Sequence, residues 1–151
     1  MEFNKALTAC FKKLGRKKIM TIATSVNDHV TIRNISAVIY DQRIFFKTDK
    51  NFPKTRQLLL NPNVAMCYWG VQIEGVAVNH GLVKEQPDKI FQELYDKYWK
   101  TSYTAYAHED SEILIEIVPK KIEVWDQDKE DRAFQIVIDC EAELAEVQQY
   151  D

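Results

Sequence analysis

The sequence predicts a mainly β (α+β) domain, an antiparallel, Greek-key-like barrel with short flanking helices. Strand-like runs follow one another in hairpin order, and only short helical stretches interrupt them. Neither G-x-G-x-x-G nor a P-loop is present, which argues against a doubly wound parallel sheet with the usual nucleotide sites. A chain of 151 residues is one domain's worth. The expectation is therefore a single domain spanning residues 1–151, with its barrel core at about 17–125.

Taken in order, Phe3, Leu7, Cys10/Phe11 and Leu14 recur at helical spacing with lysines between them, and Gly15 terminates the helix. Ile19 to Thr24 is β-rich. Asn27-Asp28 supplies a turn, and Val30 to Tyr40 returns as the second strand of a hairpin. Asp41-Gln42 turns the chain again into Arg43 to Thr48, where Ile44 and Phe46 alternate with Arg43, Phe45 and Lys47. Pro53 suits a first helical turn with Asn51 or Phe52 at the cap, so a short helix runs to about Leu60 and Asn61-Pro62 stops it.

Val64 to Trp69 reads as the fourth strand and Gln72 to Lys84 as a long fifth. Gly75 and Gly81 mark bulges or close backbone approach, and they leave two registers open for that strand. Pro87-Asp88 starts a third helix, with apolar pairs Ile90/Phe91, Leu94/Tyr95 and Tyr98/Trp99 at helical spacing. Residues 101–111 read as a loop. Ile113, Ile115 and Ile117, then Ile122 and Val124, form the sixth strand. Phe134 to Ile138 is a further strand, and Glu141 to Gln149 is expected as a short acidic helix.

Charge is unevenly spread. Residues 31–60 hold six Lys/Arg against two Asp, a local excess of +4, whereas residues 101–151 hold four basic against fourteen acidic residues. The formal net charge of −3 argues against a nucleic-acid partner, and the basic stretch is a candidate anion site. Cys10, Cys67 and Cys140 are odd in number and widely spaced, so neither a disulfide framework nor a zinc site is suggested; Cys67, within an apolar strand, is expected to pack passively. No apolar run approaches the roughly 20 residues that span a bilayer. A soluble, cytoplasmic protein with no membrane partner is the expectation. His29, His80 and His108 lack metal-site spacing, and no Ser-His-Asp or Cys-His arrangement stands out, so catalytic residues stay unknown and no metal site is assigned.

The stretch from Arg33 to Trp69 concentrates the chemistry. Two strands feed a helix start crowded with cations, as capture of a phosphate at the end of a flat cofactor requires. Lys54 opens that helix, where free N–H groups and the helix dipole add to its charge. Arg33 and Thr48 lie on neighbouring strands and converge on the same place, with Lys50 in the connecting loop.

The pattern is an Arg early in the second strand (Arg33), an aromatic-rich third strand closing on Lys47-Thr48, Lys54 at a helix start, and L-x-x-N-P-x-V-A leading to Trp69. It resembles the FMN-binding split β-barrel family related to pyridoxamine 5′-phosphate oxidase, over roughly residues 17–125. The resemblance implies FMN as cofactor, laid across the second and third strands so that main-chain groups around Asn34, Ile35, Ser36 and Lys47 address the ring edge and ribityl chain. It implies a homodimer with flavin sites at the subunit interface, where Gln72 and Trp125 fall at positions through which a partner subunit contributes. It also implies oxidoreductase activity on a small molecule, with NAD(P)H as a candidate donor. A flavin-holding module without turnover and a haem-binding relative are the alternatives.

The chain departs from the vitamin-converting oxidases in two places. Where they carry an Arg and a His that grip the substrate, it has Pro119 to Asp126 and an acidic tail, which repels a phosphorylated substrate. Val38 stands where they place a second lysine. The resemblance thus extends to the cofactor half and not to oxidation of pyridoxamine 5′-phosphate.

Overall fold

The computed structural model describes residues 1–99 and 109–150. Most of the loop expected over 101–111 lies outside them, as does His108. The elements are α1 (Phe3–Leu14), β1 (Lys17–Val26), β2 (His29–Tyr40), β3 (Arg43–Asp49), α2 (Pro53–Leu60), β4 (Asn63–Tyr68), β5 (Val71–Leu82), a 3₁₀ turn (Val83–Glu85), α3 (Ile90–Tyr98), β6 (Glu112–Gln127), β7 (Ala133–Asp139) and β8 (Leu144–Gln149).

The strands form one antiparallel sheet in the order β3-β2-β1-β4-β5-β6-β7-β8, and β3 also pairs with β6. That pairing closes the first six strands into a barrel and leaves β7 and β8 as an extension. β1, β2 and β3 are joined by tight turns and β4 returns beside β1, which is a Greek-key arrangement. The turns use left-handed residues, Asn27 with Asp28 and Asp41 with Gln42, all at positive φ. Two-residue hairpin loops of this kind match the strand twist.

The barrel is filled by alternate residues of every strand, among them Met20, Ile22, Ile44, Ile73, Ile115, Ile117 and Ile122, all 0–1% exposed. α1 plugs one side through Ala6, Cys10, Phe11 and Leu14, packing within the same core as Ile136 and Ile138 of β7. It ends at Gly15 with φ 72°, whose N–H bonds Phe11 O. The first half of β6 is buried on both faces. Its isoleucines face the barrel, while Leu114 joins Phe45 and Val83 in a second cluster capped by Phe91 of α3. Phe45 is therefore buried although the alternation places it opposite Ile44 and Phe46, because α3 and the 3₁₀ turn roof that face.

Both glycine positions in β5 carry register shifts against β6, at Glu74/Gly75 and Asn79/Leu82. At Gly75 the reason is close approach, since a Cβ there would lie 2.7 Å from Val118 O. At Gly81 it is φ 85°. The second irregularity swings His80 toward β6, where its Nε2 lies 2.9 Å from Glu116 Oε1. Arg43 Nε donates to the same carboxylate at 2.9 Å.

These bonds hold the Glu116 carboxyl below the usual range, Arg43 first and His80 after it. A depressed carboxylate contributes stability above its unfolded pKa and loses it as the pH falls through the folded one. Glu116→Gln should therefore flatten the acid limb of the melting curve and cost less than about 1 kcal/mol near neutrality, since Arg43 is half exposed. Thermal melts of both proteins across pH 3–7 read this out; parallel acid limbs would rule it out.

Two expectations are overturned. Residues 144–149 form strand β8 and no helix, because Ala145 and Val147 pair with Ile138 and Ile136 of β7. Cys67 is exposed on the outer face of β4, not packed inside, since Val64 and Met66 take the inward positions. No described helix is long and apolar enough to cross a membrane.

Candidate functional site

β2 stays paired with β1 along its whole length, but its ladder with β3 is short: Tyr40↔Arg43, Ile39↔Ile44 and Val38↔Phe45. Continued in register, the ladder would pair Ser36 with Lys47. Instead β3 runs off along β6, from Ile44↔Ile117 to Asp49↔Glu112. Tyr95 of α3 fills the vacated position: its hydroxyl accepts from Lys47 N–H at 2.7 Å and donates to Ser36 C=O at 3.2 Å. One turn on, Trp99 Nε1 donates to Ala37 C=O at 3.3 Å. α3 thus wedges the sheet open. Burial pushes the Tyr95 phenol well above its ordinary range, so it stays a neutral donor.

The opening is a cavity of about 370 Å³, within the range of small-molecule sites. Asn34, Ile35, Ser36, Lys47, Thr48 and Lys54 all line it, six of the ten residues singled out from sequence. Arg33 lies just behind, lining a small void under α2 together with Thr48, Lys54 and Thr55. The Thr48 and Thr55 hydroxyls are 2.9 Å apart and dock α2 on β3. α2 opens with Phe52 at its cap and Pro53 in its first turn, and Phe52 makes no side-chain cap bond.

Arg33 and Lys54 converge without a carboxylate partner among the described residues. Burial first, and then Arg33, holds the Lys54 ammonium below the usual lysine range. Burial also lowers Arg33. The Phe52 ring, 5.7 Å from Lys54 Nζ, gives a weak cation–π contact in place of an anion. Two like charges brought together in a half-buried cleft form a site for a ligand of negative charge.

The wall facing α3 is electrically different. Lys47 Nζ lies 3.1 Å from both oxygens of Glu112, and the two side chains are only 11% and 8% exposed. Lys47 is thus partnered within the protein; Asp49 also lines the cavity, its oxygens accepting from Asn51 N–H and the Ser111 hydroxyl, so that with Arg33 behind Lys54 the surroundings keep a positive excess of one charge. Lys50 projects from the turn before α2 and does not line the cavity. Gln72 lines a separate outer cavity with Thr21, Ile32 and Cys67. Trp125 stands on β6 with its ring 5.5 Å from that of Tyr150. Neither reaches the Arg33–Lys54 site within one chain.

Sequence reasoning did not single out Tyr95, Trp99 or Glu112. Tyr95 and Trp99 read as members of an apolar helical stripe. Glu112 reads as the polar partner in an Ile-x-Ile alternation, and only its place opposite Asp49 and beside Lys47 reveals it.

No family model matches the sequence, and no curated protein matches it. Solved structures do. A putative pyridoxamine 5′-phosphate oxidase from Listeria innocua is 19% identical with a TM-score of 0.56, covering 82% of this chain and 98% of its own. A pyridoxamine 5′-phosphate oxidase-related, FMN-binding protein from Nostoc punctiforme is 11% identical with a TM-score of 0.60, covering 98% and 94%. General Stress Protein 26 from Bacillus anthracis is 20% identical with a TM-score of 0.58, covering 81% and 92%. This chain therefore shares the split-barrel fold of these structures, with β7 and β8 added to the six-strand barrel.

Proposed function

We propose that the chain binds FMN in the cleft between β2 and β3 and serves as a flavin-dependent oxidoreductase for a small molecule. The observation that carries this reading is the pair Arg33 and Lys54 at the opening of α2, without a carboxylate partner among the described residues, on a fold shared with a solved FMN-binding protein. A phosphate monoester is close to dianionic at neutral pH and fits two cations with Thr48 beside them. Asn34, Ile35 and Ser36 line the adjoining wall. Lys47 N–H and one acceptor position of Ser36 C=O are already taken by Tyr95. The ligand body therefore meets their remaining capacity and the Lys47–Glu112 pair.

When bound, the flavin supplies the redox chemistry; the chain binds it, orients it and shields it from water. Tyr95 and Trp99 wall the cleft on the α3 side, and Phe52 stands at its outer rim. The cleft is half open, so a second subunit is the natural cover. We place Gln72 and Trp125 on the face offered to that partner, making the working unit a homodimer with its sites between subunits. Exposed Val30 and Ile32, at 65% and 70% and two residues apart on β2, lie on the outer face that gains by being covered.

The protein incubated with FMN and passed through gel filtration should co-elute with absorbance near 370 and 450 nm, roughly where the free cofactor absorbs, at the volume of a dimer. Loss of all flavin under saturating conditions would overturn the cofactor reading. Flavin retained on a monomer would overturn the shared site. Bleaching of the bound flavin by NADH or NADPH separates an oxidoreductase from a module that only holds the cofactor.

A further inference from the structure

Arg33 and Lys54 carry the same charge and repel one another, yet Arg33 stays folded back under α2. The reason is a short cluster of hydrogen bonds that starts on the guanidinium and ends on one amide oxygen. Arg33 Nη1 and Nη2 lie 3.0 and 2.9 Å from Thr24 Oγ1, and Nη2 also contacts Thr31 Oγ1. Thr24 and Thr31 face each other across the β1–β2 ladder. A guanidinium can only donate, so both hydroxyls spend a lone pair on it and their hydrogens must point elsewhere.

Both hydroxyls reach the same atom, Gln57 Oε1 of α2, at 2.9 and 2.7 Å. The amide presents its oxygen here; the two hydroxyls also lie 3.3 Å apart, so one can serve the other, but at least one hydrogen of the pair needs the Gln57 acceptor. The bonds therefore run from Arg33 through Thr24 and Thr31 to Gln57. Gln57 lies one turn beyond Lys54 on the same helix. α2 thus delivers one cation directly and fixes the other through a neutral acceptor.

We infer that Gln57 is a positioning residue for the phosphate clamp, acting through Thr24 and Thr31 to hold Arg33 ready beside Lys54 before any ligand arrives. The inference rests on the phosphate reading given above. A neutral acceptor suits the role because it orders the guanidinium without cancelling its charge. A carboxylate at the same place would accept the same two bonds and compete with the ligand.

The test uses the full chain and two probes, FMN and riboflavin, which differ by the phosphate. Gln57→Met keeps the shape and removes the acceptor; it should weaken FMN roughly three- to tenfold, the worth of an ordinary hydrogen bond, with riboflavin unchanged. Gln57→Glu should weaken FMN further and again spare riboflavin. The pair Thr24→Val with Thr31→Val should match Gln57→Met, and adding Gln57→Met to it should cost nothing more, because all three act through one chain.

Equal losses for both ligands, no loss for FMN, or full additivity of the threonine and glutamine changes would each overturn the proposal. If Gln57→Met does not fold, the threonine variants and Gln57→Glu still decide it. Wild-type protein that binds neither flavin overturns the cofactor reading itself, a result distinct from FMN binding that ignores Gln57.

Discussion

Lys54→Ala is expected to weaken FMN binding by about 1.5–3 kcal/mol, roughly ten- to a hundredfold, while leaving riboflavin nearly unchanged. One charge-assisted hydrogen bond to a phosphate is worth that much where solvent is partly excluded. The same substitution should not harm the empty protein. A lysine whose folded pKa is lowered favours the unfolded state most strongly below that value, and the penalty fades as the pH rises from the folded pKa to the ordinary, unfolded one. Removing Lys54 therefore leaves the ligand-free melting temperature equal or higher at neutral pH while the cofactor is lost, as expected of a residue kept for function at the expense of stability.

In the wild type, FMN affinity should decline at an alkaline pH below the ordinary lysine range, and Lys54→Ala should lack that limb. Titrations with both flavins and a melt without ligand test this. Equal loss for FMN and riboflavin, together with a lowered melting temperature, would make Lys54 structural and move the phosphate elsewhere.

Tyr95→Phe is the second large effect. The hydroxyl is fully buried and serves two main-chain groups, so its loss removes one hydrogen bond from each of Lys47 N–H and Ser36 C=O while the ring still holds the strands apart. Each ordinary hydrogen bond is worth about 0.5–1.5 kcal/mol net, and two are lost together. We expect a destabilisation of about 1–3 kcal/mol by urea unfolding, accompanied by weaker binding of FMN and riboflavin alike. That shared loss distinguishes it from the Lys54 variant. A change below about 0.5 kcal/mol would mean that water from the adjoining cavity takes the place of the hydroxyl, and the Tyr95 bonds would then not be what holds the cleft.

The barrel was legible because its signals are local. The left-handed residues at Asn27-Asp28 and Asp41-Gln42 announce hairpins, and Pro53 and Asn61-Pro62 bracket α2. Gly75 and Gly81 sit where the strand register shifts. The cationic half of the candidate site was legible for a related reason, since a helix start and two strand positions advertise it without tertiary information.

What was not legible depends on distant contacts. Residues 141–149 are good helix formers, and only pairing with β7 makes a strand of them. Phe45 and Leu114 looked outward until α3 and the 3₁₀ turn covered them. Tyr95 is indistinguishable in sequence from any aromatic on a helix stripe, because its task is set by a strand 48 residues away. Gln57 likewise shows its meaning only beside Thr24 and Thr31.

β8 carries a different consequence. Closing β3 onto β6 hides the edges of the barrel, so among the described residues the sheet ends at β8, with Leu144, Val147 and Tyr150 exposed along or beside it. An open strand with such side chains is a template onto which another chain can add and begin a fibril. Glu141, Glu143 and Glu146 stand in and just before this strand with no lysine or arginine among residues 140–151, so any copy approaching edge to edge meets like charge. The acidic bias that looked like a solvated tail thus acts as a guard against self-templated aggregation, and it protects the protein best where salt is low.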